Sequence, residues 1–210
     1  MLKIIRIKFK KGDQVKYVSH IEMMNTFMRA CRRCDLDVTY TAGFNPGMRM
    51  VFALPLPVGL TSQCEYVDIW FNKDYMCEYV VEMLKQSLPK GFEPVNAYYV
   101  EKSDLMEDVG SARYGFTVVC SGDLKKALKK LQSMESAFVE KSNNKGPVDI
   151  IPMIYKIDVH DGSHFSLLCK AGAKGNLHPR LVLKALNIYA GVEVEEKGID
   201  REELFLKVLQ

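Results

Sequence analysis

The sequence contains no long hydrophobic run. Its longest candidate, residues 51–60, is interrupted by Pro55, Pro57 and Gly59, whereas a membrane-spanning helix needs roughly 18 consecutive apolar residues. Lysine or arginine recurs every two or three residues near the N-terminus, so the apolar core of a secretory signal peptide is also missing. These two absences argue against a membrane protein and predict no membrane partner.

Regular cysteine spacing is missing as well. The six cysteines follow no framework pattern, which is typical of reduced thiols and predicts a cytoplasmic location. Cys31 and Cys34 form a Cys-x-x-Cys pair, but the second pair that a zinc ribbon needs does not occur. The sequence also has no three-cysteine iron–sulfur motif, no Gly-x-Gly-x-x-Gly motif and no phosphate loop. We therefore expect neither a metal nor a cofactor.

The overall charge is small. The 210 residues are 48% hydrophobic and 26% charged, with 29 Lys and Arg against 26 Asp and Glu and a formal net charge of +3. This is ordinary globular composition, and the chain is long enough to bury a core. The first 50 residues, however, carry ten Lys or Arg and four acids. A concentrated basic region attracts phosphate backbones, although a solvated lysine-rich surface has the same composition.

The first half of the chain alternates strand and helix patterns. Apolar and basic residues alternate from Lys3 to Lys10, which predicts a strand. Ser19 and Glu22 have the spacing of a capping box and predict the start of a helix that ends near Cys34. The further expected elements are strands at 50–54, 64–71 and 92–100 and a helix capped by Asp74. This β-α-β-β-α-β order is the ferredoxin-like arrangement.

The second half repeats that order with different residues. We expect strands at 114–120, 138–141, 153–159, 165–169 and 192–196, and helices at 123–132 and after Pro179. The predicted fold is therefore α+β, with two tandem ferredoxin-like (βαββαβ) units and antiparallel sheets. The predicted domains are residues 1–105 and 112–210, and the segment 103–112 is the expected linker.

One candidate site lies on the first predicted sheet. In a ferredoxin-like sheet the first and third strands are adjacent, and their face away from the helices would carry Arg6, Lys8 and Lys10 beside Tyr66 and Trp70. Cations that contact phosphates, next to aromatic rings that stack on bases, are typical of proteins that bind single-stranded RNA. Packing of this face against the second unit is the alternative.

A second candidate site follows the first helix. Arg29, Arg32 and Arg33 fall near the predicted helix end, and Asn45 and Arg49 lie in or beside a glycine-rich loop. Arginine binds phosphate or carboxylate through two parallel hydrogen bonds. These residues therefore predict an anion-binding or nucleic-acid-binding patch, although cations are also favourable at a helix C-terminus without any ligand.

His20 is the candidate catalytic residue. It lies at the predicted start of a helix, where the positive end of the dipole favours a neutral imidazole that can accept a proton. Tyr17, Asn45 and Arg49 could complete such a site. A role in anchoring the preceding loop is the alternative.

Several motifs of this chain resemble one bacterial family. They are Lys16-Tyr17-Val18-Ser19-His20-Ile21-Glu22, Arg29-Ala30-Cys31-Arg32-Arg33, Gly43-Phe44-Asn45-Pro46 and Leu56-Pro57-Val58-Gly59. With them the chain resembles the radical-SAM-linked proteins, a family of unknown function. The resemblance implies that a radical SAM protein, encoded nearby or fused in relatives, is the partner. This chain has Gly47-Met48 where the family has His-Pro, which weakens any role for that histidine.

A more distant similarity concerns the fold alone. Two tandem ferredoxin-like units with an early histidine and a glycine-rich turn are similar to the RAMP-type CRISPR repeat-processing endoribonucleases, and such an analogy transfers no function. Our leading hypothesis is a non-catalytic RNA-binding or substrate-presenting partner of a radical SAM enzyme. The alternatives are a metal-independent endoribonuclease with His20 as general base and a purely protein-binding accessory subunit.

Overall fold

The chain divides into two compact units. The computed structural model describes residues 3–141 and 146–207. Unit 1 comprises Met1–Val109 with Leu206–Gln210, and unit 2 comprises Gly110–Phe205. The inclusion of the C-terminal residues in unit 1 differs from the expected domain limits. A hydrogen bond contributes to this grouping, because the Lys207 N–H donates to the Asp108 carbonyl at 2.7 Å.

Unit 1 is a sheet with two principal helices. Its elements are β1 (Lys3–Lys11), α1 (His20–Arg33), β2 (Met50–Phe52), β3 (Thr61–Phe71), α2 (Cys77–Ser87), β4 (Phe92–Val100) and the short α3 (Leu105–Asp108). The strands are ordered β4-β1-β3, with β2 on the other side of β3, and these pairs are antiparallel. This confirms a mixed α+β architecture with antiparallel strands.

Unit 2 is also α+β. Its elements are β5 (Val109–Cys120), α4 (Leu124–Gln132), β6 (Phe138–Glu140), β7 (Pro147–Asp149), β8 (Ile154–Val159), β9 (His164–Lys170), α5 (Arg180–Ala185) and β10 (Val194–Leu206). The larger sheet of this unit has the order β10-β5-β9-β8, while β6 and β7 form a separate pair. None of the helices in the described ranges is long and apolar enough to cross a membrane.

The capping box at the start of α1 is confirmed. The Ser19 N–H donates to Glu22 Oε2 at 3.0 Å, and the Glu22 N–H donates to Ser19 Oγ at 3.3 Å. These bonds satisfy two backbone donors that a helix start leaves without partners. The prediction that Asp74 caps α2 is wrong. The N-cap is Met76, and no side chain caps this helix.

The boundary between the two units, after Val109, falls within the predicted linker, but this segment has regular structure. Residues 103–112 contain α3 and the first residues of β5. Leu105 of α3 is fully buried, so this segment contributes to the packing of unit 1.

The core of unit 1 lies between the sheet and α1. Ile5, Ile7 and Phe9 of β1 are fully buried, and so is Phe27 of α1. The Phe9 and Phe27 rings have centroids 4.7 Å apart. Each apolar side chain buried in this way stabilises the fold by about 1.5–3 kcal/mol. Ile5, Ile7 and Phe9 therefore belong to the core, and Arg6 and Lys8 between them lie on the other face of the sheet.

That other face contains a buried ion pair. Arg6 Nε donates to Asp68 Oδ1 at 2.7 Å, and Arg6 Nη2 donates to Asp68 Oδ2 at 2.9 Å. Asp108 Oδ2 is 3.7 Å from Arg6 Nη2. Burial lowers the pKa of the Arg6 guanidinium, but the hydrogen bonds and charge of Asp68 outweigh this, so its pKa is raised. Arg6 thus remains charged and is neutralised inside the protein.

We expect Asp68→Ala to destabilise unit 1 by about 3 kcal/mol or more, because it leaves a buried guanidinium without its bidentate partner. Denaturant unfolding followed by circular dichroism measures this change. The matched control is Asp74→Ala, which removes the carboxylate of the exposed Lys3–Asp74 pair and should leave stability nearly unchanged. Equal effects of the two substitutions would contradict a structural role for the Arg6–Asp68 pair.

Candidate nucleic-acid interface

The face of the unit 1 sheet opposite α1 is not the open surface that the sequence predicts. Arg6 and Trp70 are each only 6% exposed. Arg6 is held by Asp68, and the guanidinium of Arg49 lies 4.3 Å from the centroid of the Trp70 ring. Neither the Arg6 charge nor the covered face of Trp70 is available to RNA. The expectation that both are presented to solvent is therefore corrected.

The other predicted residues of this face are partly exposed. Lys8 lies opposite Tyr66 in the β1–β3 register, and Lys10 lies opposite Glu93 in the β1–β4 register. The acid across from Lys10 reduces the positive potential at that end of the strand. Lys8 and Tyr66 therefore retain the cation-and-aromatic pattern on this face, but as one neighbouring pair.

The arginines of α1 lie on the side of that helix that faces water. Arg29, Arg32 and Arg33 are all exposed, whereas Phe27 and Ala30 of the same helix are buried. In the described part of the chain the side chains of Arg29 and Arg32 have no hydrogen-bond or ion-pair partner, and Arg33 Nη2 donates to the Ser87 carbonyl. Dipole interactions favour cations at the last turn, which contains Arg32 and Arg33. Arg29 lies one turn earlier.

Two adjoining clefts run along this side of α1. One, of about 370 Å³, is lined by Thr26, Arg29, Arg33 and residues 87–89. The other, of about 510 Å³, is lined by Gln14, Tyr17, Val18, Glu22, Asn25, Thr26 and Arg29. Because Thr26 and Arg29 line both clefts, we treat them as one feature, the α1 groove.

The α1 groove is lined by cations, neutral polar groups, an aromatic ring and one carboxylate. Arg29 and Arg33 are one helical turn apart and supply cations, Asn25 and Thr26 supply neutral polar groups, and Tyr17 supplies an aromatic ring that is 73% exposed. The one carboxylate of the lining, Glu22, is occupied by the Ser19 backbone, and this hydrogen bond lowers its pKa. The groove can therefore hold an anion at one end and a planar group at the other.

Asn45 lies apart from the other predicted residues. Residues 41–47 form an exposed loop, and Asn45 and Phe44 are at its tip. No hydrogen bond or ring contact joins Asn45, Tyr17 or Arg49 to His20 within the described ranges. The structure thus does not assemble the four-residue catalytic site that the sequence allowed.

His20 is packed at the first turn of α1. Its ring lies edge-on to Phe52 with centroids 5.6 Å apart, and its Nδ1 is buried without a hydrogen-bond partner in the described structure. Burial lowers the pKa of His20, and the nearby Lys11 ammonium lowers it further. The imidazole is therefore neutral near pH 7.

The Cys31-x-x-Cys34 pair does not form a thiolate site. Burial, and secondarily the neighbouring Cys34, raises the pKa of the Cys31 thiol to about 12. The Cys34 thiol donates to the Ala30 carbonyl at 3.0 Å. Across the described residues, no group of three or more His, Cys, Asp or Glu side chains could hold a metal ion.

Sequence reasoning missed Phe44 and the second wall of the α1 groove. The wall consists of residues 87–89, which are distant from α1 in the chain and carry no motif. Phe44 did have a signal, because it is a lone aromatic residue among glycine, asparagine and proline. Such a residue in a turn has no apolar neighbours to pack against.

Comparison with known proteins gives a family and a fold. Residues 4–179 match the family described as "Uncharacterized protein conserved in bacteria (DUF2344)". The chain belongs to this family. No curated protein matches the chain. The family description mentions no radical SAM enzyme, so that partner stays a prediction.

Among solved structures, the chain is similar to one described as "Crystal Structure of a Cbf5-Nop10-Gar1 Complex". The TM-score is 0.53 with 11% sequence identity, and the match covers 98% of this chain and 50% of that chain. The chain thus spans about half the length of that relative. At this identity the likeness concerns the fold alone.

We expect His20 to make stability depend on pH. Because its folded-state pKa is lowered from 6.5, the unfolded state takes up a proton first, and the free energy of unfolding falls as pH drops below about 6.5. His20→Gln should weaken this dependence in denaturant titrations between pH 5 and 7. Burial also lowers the pKa of His178. The free energy of unfolding therefore falls at low pH through His178 as well, and His20→Gln should retain that part of the dependence. An unchanged pH dependence in His20→Gln would contradict the assignment.

Proposed function

We propose that this protein is a non-catalytic RNA-binding partner of a radical SAM enzyme and that it presents single-stranded RNA from the α1 groove. The observation that carries the proposal is Arg29, an exposed cation without a hydrogen-bond or ion-pair partner in the described part of the chain, in a groove that also contains Arg33 and an exposed aromatic ring. Exposed charges held without counter-ions on one side of a helix raise the local concentration of anionic ligands.

The form of the groove favours unpaired nucleotides. Its clefts of about 510 and 370 Å³ have the size of small-molecule sites, so they suit individual nucleotides better than a duplex. Arginine binds a phosphate through two hydrogen bonds, and a base stacks on an exposed tyrosine such as Tyr17. The amide of Asn25 can bind the edge of a base.

The radical SAM partner and the cytoplasmic location have different support. The partner is proposed from the resemblance of residues 16–22, 29–33, 43–46 and 56–59 to the radical-SAM-linked proteins. The location is proposed from the six cysteines, which are all free, as expected in a reducing compartment.

We also propose that the two units are tandem ferredoxin-like units. The support is the strand order within each one. Numbering the strands of the main sheet along the chain, unit 1 has the order 4-1-3-2, and unit 2 has the same order when the separate β6–β7 pair is treated as an insertion. This order is typical of the βαββαβ arrangement.

RNA affinity measured against salt tests the binding proposal. We expect the logarithm of affinity to fall linearly with the logarithm of salt concentration. In Arg29→Ala/Arg32→Ala/Arg33→Ala the slope should become shallower by roughly 0.7 for each lost contact to a single strand. Fluorescence anisotropy with labelled single-stranded RNA measures both proteins.

The matched control removes three charges elsewhere. Lys125, Lys129 and Lys130 lie on the exposed side of α4, and their triple alanine variant should keep the wild-type slope. An equal loss in the control would indicate non-specific attraction and contradict the α1 groove as the site. No RNA binding by the wild type at low salt would contradict the proposal and favour a protein-binding accessory subunit.

His20 supports a second candidate function, a metal-independent endoribonuclease. The supporting observation is its neutral imidazole, which can accept a proton. On this hypothesis the wild type cleaves RNA in the presence of a chelator, and His20→Ala abolishes cleavage. Our leading proposal predicts no cleavage by either protein, measured on end-labelled RNA by gel electrophoresis. His178→Ala is the control for the loss of a partly buried histidine, because cleavage that depends on His20 should survive it.

A further inference from the structure

We propose that residues 39–49 form a rigid hairpin that presents Phe44 as a stacking platform for one unpaired base of the bound RNA. This inference rests on the proposed RNA binding and extends it with a preference for loops and single strands over duplexes. We call residues 39–49 the Phe44 hairpin.

The neck of the Phe44 hairpin is closed by hydrogen bonds. The Thr41 N–H donates to the Gly47 carbonyl at 2.8 Å, and the Gly47 N–H donates to Thr41 Oγ1 at 3.0 Å. Tyr40 and Met48 form an antiparallel bridge just below them. The loop is thus held at both ends, and its tip is limited to five residues.

The base of the hairpin is attached to β3. The Arg49 N–H donates to the Thr39 carbonyl at 2.7 Å, and the Thr39 N–H donates to the Trp70 carbonyl, also at 2.7 Å. The Trp70 N–H in turn donates to the Arg49 carbonyl at 3.2 Å. The Arg49 guanidinium lies on the Trp70 ring, 4.3 Å from its centroid. Arg49, which the sequence predicted to contact nucleic acid, therefore also holds the hairpin against the sheet.

This anchoring keeps the Phe44 ring in water. Phe44 is fully exposed, and residues 41–47 are all exposed. The preceding Gly43 has a φ of +129°, which other residues rarely adopt, although a Cβ there would meet no atom within 4 Å. The turn conformation itself, and not crowding, requires glycine at this position. The hairpin thus directs a large apolar side chain away from the core that could bury it.

The surroundings of Phe44 fit a base better than a protein partner. A docking surface for a protein is usually a contiguous apolar patch, but the residues adjacent to Phe44 in the exposed loop are Gly43, Asn45 and Pro46. A single ring with free faces is sufficient to stack on a planar base. The exposed Asn45 amide beside it has a donor and an acceptor, the combination that binds the edge of a base.

The experiment compares two RNAs and three variants. The probes are a fluorescein-labelled RNA hairpin with an adenine-rich loop and a blunt duplex with the same stem. Phe44→Leu keeps an apolar side chain but removes the ring, and Phe44→Trp keeps a ring. Tyr155→Leu removes a half-exposed ring of β8 in unit 2 and is the control. Because these side chains are exposed, none of the variants should affect folding.

We expect Phe44→Leu to weaken binding of the RNA hairpin roughly tenfold, the effect of losing one stacked base, without weakening binding of the duplex. Phe44→Trp and Tyr155→Leu should bind like the wild type, and the Phe44→Trp fluorescence should be quenched by the RNA hairpin. Wild-type affinity in Phe44→Leu, together with weakened binding in the α1 arginine variant, would overturn this inference alone. Absence of RNA binding by the wild type would overturn the proposed function and this inference with it.

Discussion

The buried ion pair between Arg6 and Asp68 removes the central cation of β1 from the surface of unit 1. The alternation of β1 places Ile5 and Ile7 under α1, so Arg6 must lie on the opposite face of the sheet. There the guanidinium is held by both oxygens of Asp68, because a buried charge without a partner costs several kcal/mol. Arg6 of the basic strand is therefore neutralised inside the protein, whereas Arg29 and Arg32 of α1 are exposed and have no hydrogen-bond or ion-pair partner in the described part of the chain.

The amphipathic pattern of α1, in contrast, leaves cations exposed to water. Phe27 and Ala30 are fully buried against the sheet, which leaves Arg29 and Arg32 on the side that faces water. The capping box fixes the start of the helix beside Tyr17, and Arg33 reaches the Ser87 carbonyl at the other end. The same periodicity that stabilises the helix thus produces a groove with cations at one end and an aromatic ring at the other.

Local patterns in the sequence were sufficient for β1, α1 and β4, because alternation and capping depend on neighbouring residues. The neutralisation of Arg6 was not predictable, since Asp68 is 62 positions away. Strand β10 was predicted to end at residue 196 but continues to Leu206. Its pattern is concealed by Arg201, a charged residue that is 0% exposed and hydrogen-bonds to the Tyr114 hydroxyl. Contacts between distant residues explain each of these failures.

The most direct test of the account is to map where RNA touches the full chain. Ultraviolet cross-linking of single-stranded RNA, followed by mass spectrometry of the attached peptides, identifies aromatic side chains that stack on bases. We expect cross-links at Tyr17 in the α1 groove and at Phe44 in the hairpin. Cross-links confined to Tyr66 on the sheet face opposite α1, or to unit 2, would contradict the proposed binding site.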